Sequence, residues 1–345
     1  MAAAEVFGAE PAWLADLDPA AAALLAHRYP GVPNLGDITA VDWDLVALLA
    51  PVELVFAGWP CQPFSLAGKQ KGADDDRALW PEVDRCLRAL RPQYVLLENV
   101  PAVVAAGELE RVATSLASLG YRFAWCCLTA AAVGAPHKRD RFFLVAVAED
   151  ADGAARGQRG IAASDQAESR RTRADAGRRG RASAADADSD AVREQPIAKP
   201  RGLRTAVAEQ PRINAAPHAE GRGLAGDTER DSETQLHQAD DEPRLDADGR
   251  VLDWAGYEPA IRRWEAVLGR PAPVPTVPGA RGGRVLNPEL PEWMMGLPAG
   301  WITGVPGLSR AQQLKLAGNG VVWQQAVEAY LYLLGVLDAD ARSAA

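Results

Sequence analysis

The chain has 345 residues, of which 48% are hydrophobic, and its formal net charge is −9 at neutral pH. This is enough apolar material for one sizeable domain and a smaller one, and no apolar run approaches the roughly 18 residues of a membrane span. The four cysteines lack zinc-binding spacing, so the composition argues against a membrane protein or a zinc protein, whereas a negative total charge still allows a local basic stripe for nucleic acid.

Two short acidic segments stand near the N-terminus. Residues 14–19 read Leu-Ala-Asp-Leu-Asp-Pro, and residues 36–38 read Gly-Asp-Ile. Asp18 before a proline and an alanine-rich stretch predicts a helix N-cap, and Asp37 precedes a predicted turn. Judged alone, these acidic residues are ordinary cap and turn residues.

A cysteine-containing loop follows the apolar residues 52–57. Residues 58–65 read Gly-Trp-Pro-Cys-Gln-Pro-Phe-Ser, so Cys61 lies between two prolines that fix φ on either side. An apolar run of this length predicts a buried strand, and the loop then lies at the carboxyl edge of a sheet, where open α/β folds bind ligands. This setting favours a nucleophile over an ordinary packed cysteine.

A second apolar strand is predicted at residues 93–97, and it ends in Glu98, Asn99 and Val100. Apolar residues at helical spacing follow, from Leu109 to Leu119. A third strand is predicted from Arg141 onward, with Arg139 and Arg141 expected to point the same way at the sheet edge. The alternation of strands and amphipathic helices predicts an α/β fold.

Residues 149–249 contain no Phe, Trp or Tyr and are dominated by Ala, Arg, Asp, Gly and Ser. Such a segment has too little apolar surface to offset chain entropy, so we predict that it is mostly disordered. Ordered structure is predicted to resume near residue 251, with Trp254 and Trp264 as core residues of a small domain. A final helix is predicted at residues 321–337, packed back on the main domain.

Seven segments, in order, resemble the motifs of the DNA (cytosine-5-)-methyltransferases. The Pro-Cys-Gln, Glu-Asn-Val and Arg-x-Arg runs carry most of the resemblance, and the other four segments agree with it in register. In chain order the segments are residues 14–19, 36–38, 60–62, 98–100, 134–141, 285–298 and 318–322. The resemblance covers most of the chain outside residues 150–250.

The resemblance implies a doubly wound, Rossmann-like methyltransferase sheet with a small target-recognition domain. Residues 1–148 would form the catalytic domain, 149–249 an insertion, 250–284 the target-recognition region, and 285–345 a segment returning to the catalytic domain. It also implies that the Cys61 thiolate adds to ring carbon 6 of cytosine. Glu98 would act as an acid at ring nitrogen 3, and Arg139 and Arg141 would hold Glu98, the base carbonyl or a phosphate.

The same resemblance implies S-adenosylmethionine as the methyl donor, with no metal. Asp16, with Leu17 beside it, would bind the ribose hydroxyls, and Asp37 and Ile38 would contact the adenine. Further cofactor contacts are expected from three residues, which are Pro60, Leu79 and Asn319.

The implied partner is double-stranded DNA with the target cytosine flipped out of the helix, since a thiol cannot reach ring carbon 6 inside a duplex. A cognate restriction endonuclease, or a phage that masks its own sites, would fit this activity. The cytoplasm is the expected location, because a working thiolate needs a reducing compartment. The protein is also expected to be a monomer.

The chain departs from the family pattern in two places. His137 stands where Gln is usual, and the chain opens on a segment that resembles the helix after the family's Phe-x-Gly-x-Gly strand and loop, so the catalytic domain is expected to be truncated at its N-terminus. Three alternatives therefore remain open. They are an active DNA methyltransferase, a catalytically dead remnant that at most binds DNA, and an RNA cytosine methyltransferase.

Overall fold

A mixed four-stranded sheet organises the fold in the computed structural model, which describes residues 1–49, 51–60, 79–105, 107–149, 252–280 and 282–344. Cys61 and almost all of the predicted insertion lie outside these residues. The elements are, in order, α1 (Ala2–Phe7), α2 (Pro19–Arg28), α3 (Trp43–Leu49), β1 (Leu54–Gly58), α4 (Trp80–Leu90), β2 (Tyr94–Asn99), α5 (Ala102–Ala105), α6 (Glu108–Ser118), β3 (Tyr121–Thr129), β4 (Asp140–Ala148), α7 (Glu258–Leu268), β5 (Thr276–Pro278), β6 (Arg284–Leu286), α8 (Glu289–Met294), α9 (Arg310–Asn319) and α10 (Trp323–Ala344).

The strand order in the sheet is β1-β2-β4-β3. β1 and β2 run parallel, in a register that pairs Gly58 with Glu98 at their carboxyl ends. β4 lies antiparallel between β2 and β3. β2 and β4 are almost continuously apolar because helices cover both faces of the sheet, as expected for interior strands.

Two apolar cores lie on opposite faces of this sheet. On one face, side chains from α4 and α6, including Leu87 and Leu116, pack against β2 and β4. On the other face, α1 and α10 pack against the sheet, with Tyr330 fully buried against Phe143. The predicted α/β fold with helices on both faces is confirmed, and the apolar residues at helical spacing do form a buried helix face in α6.

A third core joins the region after the insertion to the rest of the fold. Trp264 of α7 is fully buried, and its Nε1 donates a hydrogen bond to the carbonyl of Trp293, 3.0 Å away. Val322 and Ala130 contribute to the same cluster. The prediction that Trp264 is a core residue is therefore confirmed.

The N-terminal acidic segments lie on either side of α2. Asp18 caps this helix, as predicted, by accepting hydrogen bonds from the backbone N–H groups of Ala20 and Ala21. Around the helix, the chain forms only one isolated parallel bridge, between Leu14 and Asn34. The pairing between these two segments is therefore much shorter than the pairing between strands of the main sheet.

The outer edge of β1 has no strand partner in the part of the chain that the structure describes. The Tyr94 N–H donates to the Glu53 carbonyl, so alternation directs the backbone groups of Leu54, Phe56 and Gly58 toward the open edge. The Phe56 side chain is 47% exposed, which is unusual for a strand covered on both faces.

Two sequence-based boundaries differ from the structure. Arg139 has a φ of 34°, and β4 begins after it, at Asp140, so the expected alternation of Arg139 and Arg141 along one strand is wrong. The final helix begins at Trp323 and continues to Ala344, beyond the predicted residue 337. Among the described residues, the helices are all too short or too polar to cross a membrane.

Candidate active site

A cavity of about 2620 Å³ runs along the whole outer edge of β1 and reaches Glu98 near the carboxyl end of β2. Its wall includes eight of the eleven residues that the sequence singled out, although they come from distant parts of the chain. These eight are Asp16, Leu17, Asp37, Ile38, Pro60, Leu79, Glu98 and Asn319. Arg139 and Arg141 do not line the cavity, and Cys61 directly follows the last described residue of the loop that enters it.

The start of the Cys61 loop is anchored against β2. The Asn99 side chain donates a hydrogen bond from Nδ2 to the Trp59 carbonyl, 3.1 Å away, and accepts one at Oδ1 from the Val100 N–H. The Trp59 ring packs on that of Trp80 with centroids 5.3 Å apart. These contacts fix the direction in which Pro60 leaves the sheet. The sequence included Asn99 in a motif but gave it no role.

The Glu98 carboxyl lies beside this loop, at the end of β2. Gly58 lies so close that a Cβ there would be 3.3 Å from Glu98 Oε2, so a larger residue would crowd the carboxyl. Burial raises the pKa of Glu98 to about 7, although the positive charges of Arg141 and Arg139 oppose that shift. Glu98 is thus a carboxyl group that still carries a proton near neutral pH, as a general acid requires.

Arg141 and Arg139 have separate partners. Arg141 Nε lies 3.2 Å from Glu98 Oε1, and both side chains are mostly buried. Arg139 instead donates from Nη2 to the carbonyls of Gly318 and Gly320, at 2.7 and 2.5 Å. Of the roles considered for these arginines, holding Glu98 therefore fits Arg141, whereas Arg139 binds the turn between α9 and α10.

Three of the four cysteines are unsuited to nucleophilic chemistry. Burial raises the pKa of Cys86, Cys126 and Cys127 to about 12, so these thiols remain protonated at neutral pH. Cys61 is the remaining cysteine of the chain. If the reaction uses a thiolate, the sequence leaves Cys61 as its source.

The acidic residues predicted for cofactor binding are ordered by local hydrogen bonds. Asp16 accepts a hydrogen bond at Oδ1 from the Asp18 N–H, and its own N–H donates to Asn34 Oδ1. Asp37 Oδ1 accepts from the Thr39 N–H, and this hydrogen bond lowers the Asp37 pKa. The Thr39 side chain also hydrogen-bonds to the Asp37 carboxylate. Both carboxylates lie at the cavity wall, where ribose hydroxyls or an adenine amine could donate to them.

The donor set of the cavity fits S-adenosylmethionine. Carboxylates at Asp16 and Asp37 suit hydroxyl and amine donors, and Ile38, Leu79 and Pro60 supply apolar surface for a flat base. Asn319 is exposed in the cavity, and its side-chain amide has no hydrogen-bond partner among the described residues. It is therefore free to bind a ligand.

His137 is partly buried, and neither ring nitrogen has a hydrogen-bond partner in the portion of the chain that the structure describes. Burial and, to a smaller extent, the nearby positive charges of Arg139 and Arg141 together lower the pKa of His137 to about 4. The imidazole is therefore neutral at physiological pH, and we assign it no catalytic role.

Sequence reasoning missed two residues that brace this site. Gln325, fully buried in the first turn of α10, donates from Nε2 to the carbonyls of Leu128 and Arg139, at 2.6 and 3.0 Å. The second residue is Lys315 of α9, which forms a 2.5 Å ion pair with Asp18, the residue that caps α2. An amide or a lysine on a helix gives no sequence signal of such long-range contacts.

The comparisons with known proteins identify the family. The model of the C-5 cytosine-specific DNA methylase family matches residues 2–330, which is nearly the whole chain. The chain therefore belongs to the C-5 cytosine-specific DNA methylase family. The Rossmann-like methyltransferase fold that the resemblance implied is confirmed with it.

Several curated relatives match parts of the chain. The type II methyltransferase M.HhaI of Haemophilus parahaemolyticus is 32% identical over 152 residues, which cover 43% of this chain and 45% of the relative. M.NgoBV of Neisseria gonorrhoeae is 34% identical over 146 residues, covering 39% and 34%. A protein of Escherichia phage P1, named DNA N-6-adenine-methyltransferase, is 39% identical over 116 residues, covering 30% and 15%. The chain thus spans less than half of each of these relatives.

Among solved structures, the methyltransferase EhMeth of Entamoeba histolytica overlaps 93% of this chain and 89% of its own, with 13% identity and a TM-score of 0.47. A putative DNA modification methyltransferase encoded within an Escherichia coli prophage overlaps 44% of each chain, with 22% identity and a TM-score of 0.38. These overlaps are too loose to add to what the family model and the strand order show.

Proposed function

We propose that the protein transfers a methyl group from S-adenosylmethionine to carbon 5 of cytosine in double-stranded DNA. One observation carries the proposal. Glu98, an acid with a pKa of about 7, is held by Arg141 at the end of β2, beside the loop that leads into Pro-Cys-Gln. Family membership supports the same reaction.

On the base side, the Cys61 thiolate adds to ring carbon 6 of a flipped cytosine, while Glu98 donates a proton to ring nitrogen 3. This addition makes ring carbon 5 an enamine carbon that can attack an electrophile. Methylation would break the methyl–sulfur bond of the donor and leave S-adenosylhomocysteine. The proton on carbon 5 then passes to solvent water as the Cys61 thiolate is expelled, which restores the aromatic ring. Glu98 recovers its proton as nitrogen 3 becomes neutral.

On the donor side, S-adenosylmethionine supplies an electrophilic methyl group when it is bound. Asp16 would hold the ribose hydroxyls, with Leu17 beside them, and Asp37 and Ile38 would hold the adenine. Pro60, Leu79 and Asn319 complete the wall. No metal is required for this chemistry, because Arg141 and the proton on Glu98 offset the charge that develops on the base.

The setting of this activity follows from the same chemistry. The type II relatives support a restriction–modification role with a cognate endonuclease, and the phage P1 relative suggests a phage or prophage source. A thiolate nucleophile suits the reducing cytoplasm. A monomer suffices, because one chain carries the acid, the thiol and the cofactor wall.

The test is transfer of labelled methyl from S-adenosylmethionine to mixed-sequence duplex DNA, followed by nucleoside mass spectrometry. We expect 5-methylcytosine. N6-methyladenine would instead fit the name of the phage P1 relative and would refute the cytosine reaction. A parallel reaction with transfer RNA distinguishes the DNA methyltransferase from the RNA methyltransferase. Label on RNA and none on DNA would support the RNA alternative.

A catalytically inactive DNA binder is the second candidate. Within the described residues, the outer edge of β1 has no strand partner and only a single bridge joins Leu14 to Asn34, which favours this candidate because it leaves the cofactor side of the sheet weakly supported. Folded protein that binds duplex DNA but transfers no label to either nucleic acid would support this candidate over the enzyme.

A further inference from the structure

The junction between α9 and α10 is attached to the start of β4 by one arginine. Arg139 donates two hydrogen bonds from the same guanidinium nitrogen, to the carbonyls of Gly318 and Gly320. Asn319 lies between these two glycines and is exposed in the cavity, whereas Arg139 is not part of the cavity wall. The contact of Arg139 with the cofactor side of the cavity therefore runs through the turn that it holds.

The backbone of Arg139 is itself held in an unfavourable conformation. Its φ of 34° lies in the left-handed region, which residues other than glycine rarely adopt because the Cβ is crowded there. The Arg139 carbonyl accepts a hydrogen bond from Gln325 Nε2 at 3.0 Å, and from the Ala130 N–H at 3.3 Å. Gln325 is fully buried in α10, the helix that follows the turn. This helix therefore also fixes the backbone of Arg139, whose side chain binds the turn.

This arrangement places two functions side by side on one short segment. Arg141 holds Glu98 on the base side, and Arg139, two residues earlier, holds the Asn319 turn on the cofactor side. The left-handed φ at Arg139 turns the two guanidinium groups toward different partners.

We propose that Arg139 is a positioning residue for the methyl donor, acting with Gln325 to fix the turn that presents Asn319 to the cofactor cavity. This inference rests on the proposed function, because it assumes that the cavity binds S-adenosylmethionine. It assigns Arg139 to cofactor affinity and leaves the acid chemistry of the base side to Glu98 and Arg141.

The test measures binding of S-adenosylmethionine to the full chain by calorimetry, without DNA, for wild type and Arg139→Lys. Lysine keeps the positive charge, but its side chain is shorter, so its ammonium falls short of the position of Nη2, the one nitrogen that donates to both carbonyls. We expect the dissociation constant to rise about tenfold, equivalent to one hydrogen bond to a charged group. At saturating cofactor, kcat and its pH dependence should stay within about twofold.

Arg141→Lys is the matched control on the same segment. It should change kcat and the pH profile, because it disturbs Glu98, while leaving cofactor affinity within about twofold. A double-mutant cycle completes the design. If Arg139 acts through Asn319, then Arg139→Lys combined with Asn319→Ala should bind the cofactor no more weakly than Asn319→Ala alone.

Gln325→Met gives an independent arm if Arg139→Lys unfolds the protein. It removes the hydrogen bond to the Arg139 carbonyl at nearly constant volume, and we expect affinity to fall about threefold, with faster amide exchange at residues 318–320.

Unchanged affinity in Arg139→Lys and Gln325→Met, or additive losses in the cycle, would overturn the inference and leave the proposed function standing. Wild-type protein that binds no S-adenosylmethionine would remove the cofactor assignment, and the inference with it.

Discussion

The two halves of the candidate site are built in different ways. On the base side, Glu98 is paired with both neighbouring strands near the end of β2, and its carboxyl is buried against Gly58 and Arg141. On the cofactor side, Asp16 follows a segment with a single bridge, and its position is set by hydrogen bonds to Asn34, 18 residues later in the chain, and to Asp18.

This difference explains why the base side holds a carboxyl with a raised pKa, whereas the cofactor side presents polar side chains to a ligand. An interior strand can bury a carboxyl and raise its pKa, because burial removes the water that stabilises the charged form. Side chains placed by exposed turns remain charged and solvated, and they suit recognition of a polar ligand. Substitutions on the base side should therefore change the chemical step, whereas those on the cofactor side should change affinity.

The largest effect is expected from Cys61→Ser. Because a serine hydroxyl is a far weaker nucleophile than a thiolate, methyl transfer should fall at least about 1000-fold, while DNA affinity stays within a few-fold. Labelled transfer and a DNA binding titration measure the two quantities.

Cys126→Ala is the control for this change, since it removes a buried, protonated thiol on β3 that does not line the cavity. It should cost stability of about 1 kcal/mol and leave the transfer rate intact. Full activity in Cys61→Ser would refute the covalent mechanism.

Glu98→Gln should slow transfer about 100-fold, because the amide cannot donate the proton that the acid supplies. Since Glu98 has a pKa of about 7, the wild-type kcat should fall as pH rises through 7, and this decline should be absent from the variant. Glu108→Gln, a buried carboxyl on α6 that does not line the cavity, should keep the wild-type profile.

The same carboxyl also links stability to pH. Its pKa is raised in the folded state, so its stabilising contribution is complete below pH 4.5, its ordinary pKa, and is lost as pH rises through 7. Above pH 7, Glu98→Gln should therefore unfold at a higher urea concentration than wild type. The opposite order would contradict the raised pKa.

On the cofactor side, Asp16→Asn should weaken S-adenosylmethionine binding about tenfold and leave kcat nearly unchanged. Asparagine preserves the Oδ1 acceptor that orders the turn but removes the charge that strengthens a hydroxyl hydrogen bond. Asp42→Asn is the matched control, because Asp42 accepts a similar backbone hydrogen bond outside the cavity wall. A fall in kcat with unchanged affinity would place Asp16 on the base side instead.

The smallest effect is expected from His137→Gln, which should alter kcat and cofactor affinity by less than about threefold. At neutral pH the imidazole is uncharged, and a glutamine amide of similar size is also uncharged. A tenfold loss in steady-state kinetics would show that His137 has a role that the structure does not assign to it.

The sequence was sufficient for the parts of this site that lie near one another along the chain. Apolar runs predicted β1 and β2, and the resemblance of short motifs along the chain singled out Glu98, Asp37 and the other wall residues. The sequence could not show that Arg139 and Arg141 have different partners, because Arg139 contacts Gly318 and Gly320, which are 179 and 181 residues away. Alternation along a strand was the available rule, and the left-handed φ breaks it.

The outer edge of β1 has no strand partner among the described residues, so the association state of the protein is expected to depend on its concentration. Unpaired N–H and C=O groups on a strand edge can pair with another chain, and the half-exposed Phe56 adds apolar contact to such pairing. Concentrated samples should therefore associate through this edge, whereas dilute samples remain dispersed. A lysine at position 56 would improve solubility and leave Glu98 and its partners in place.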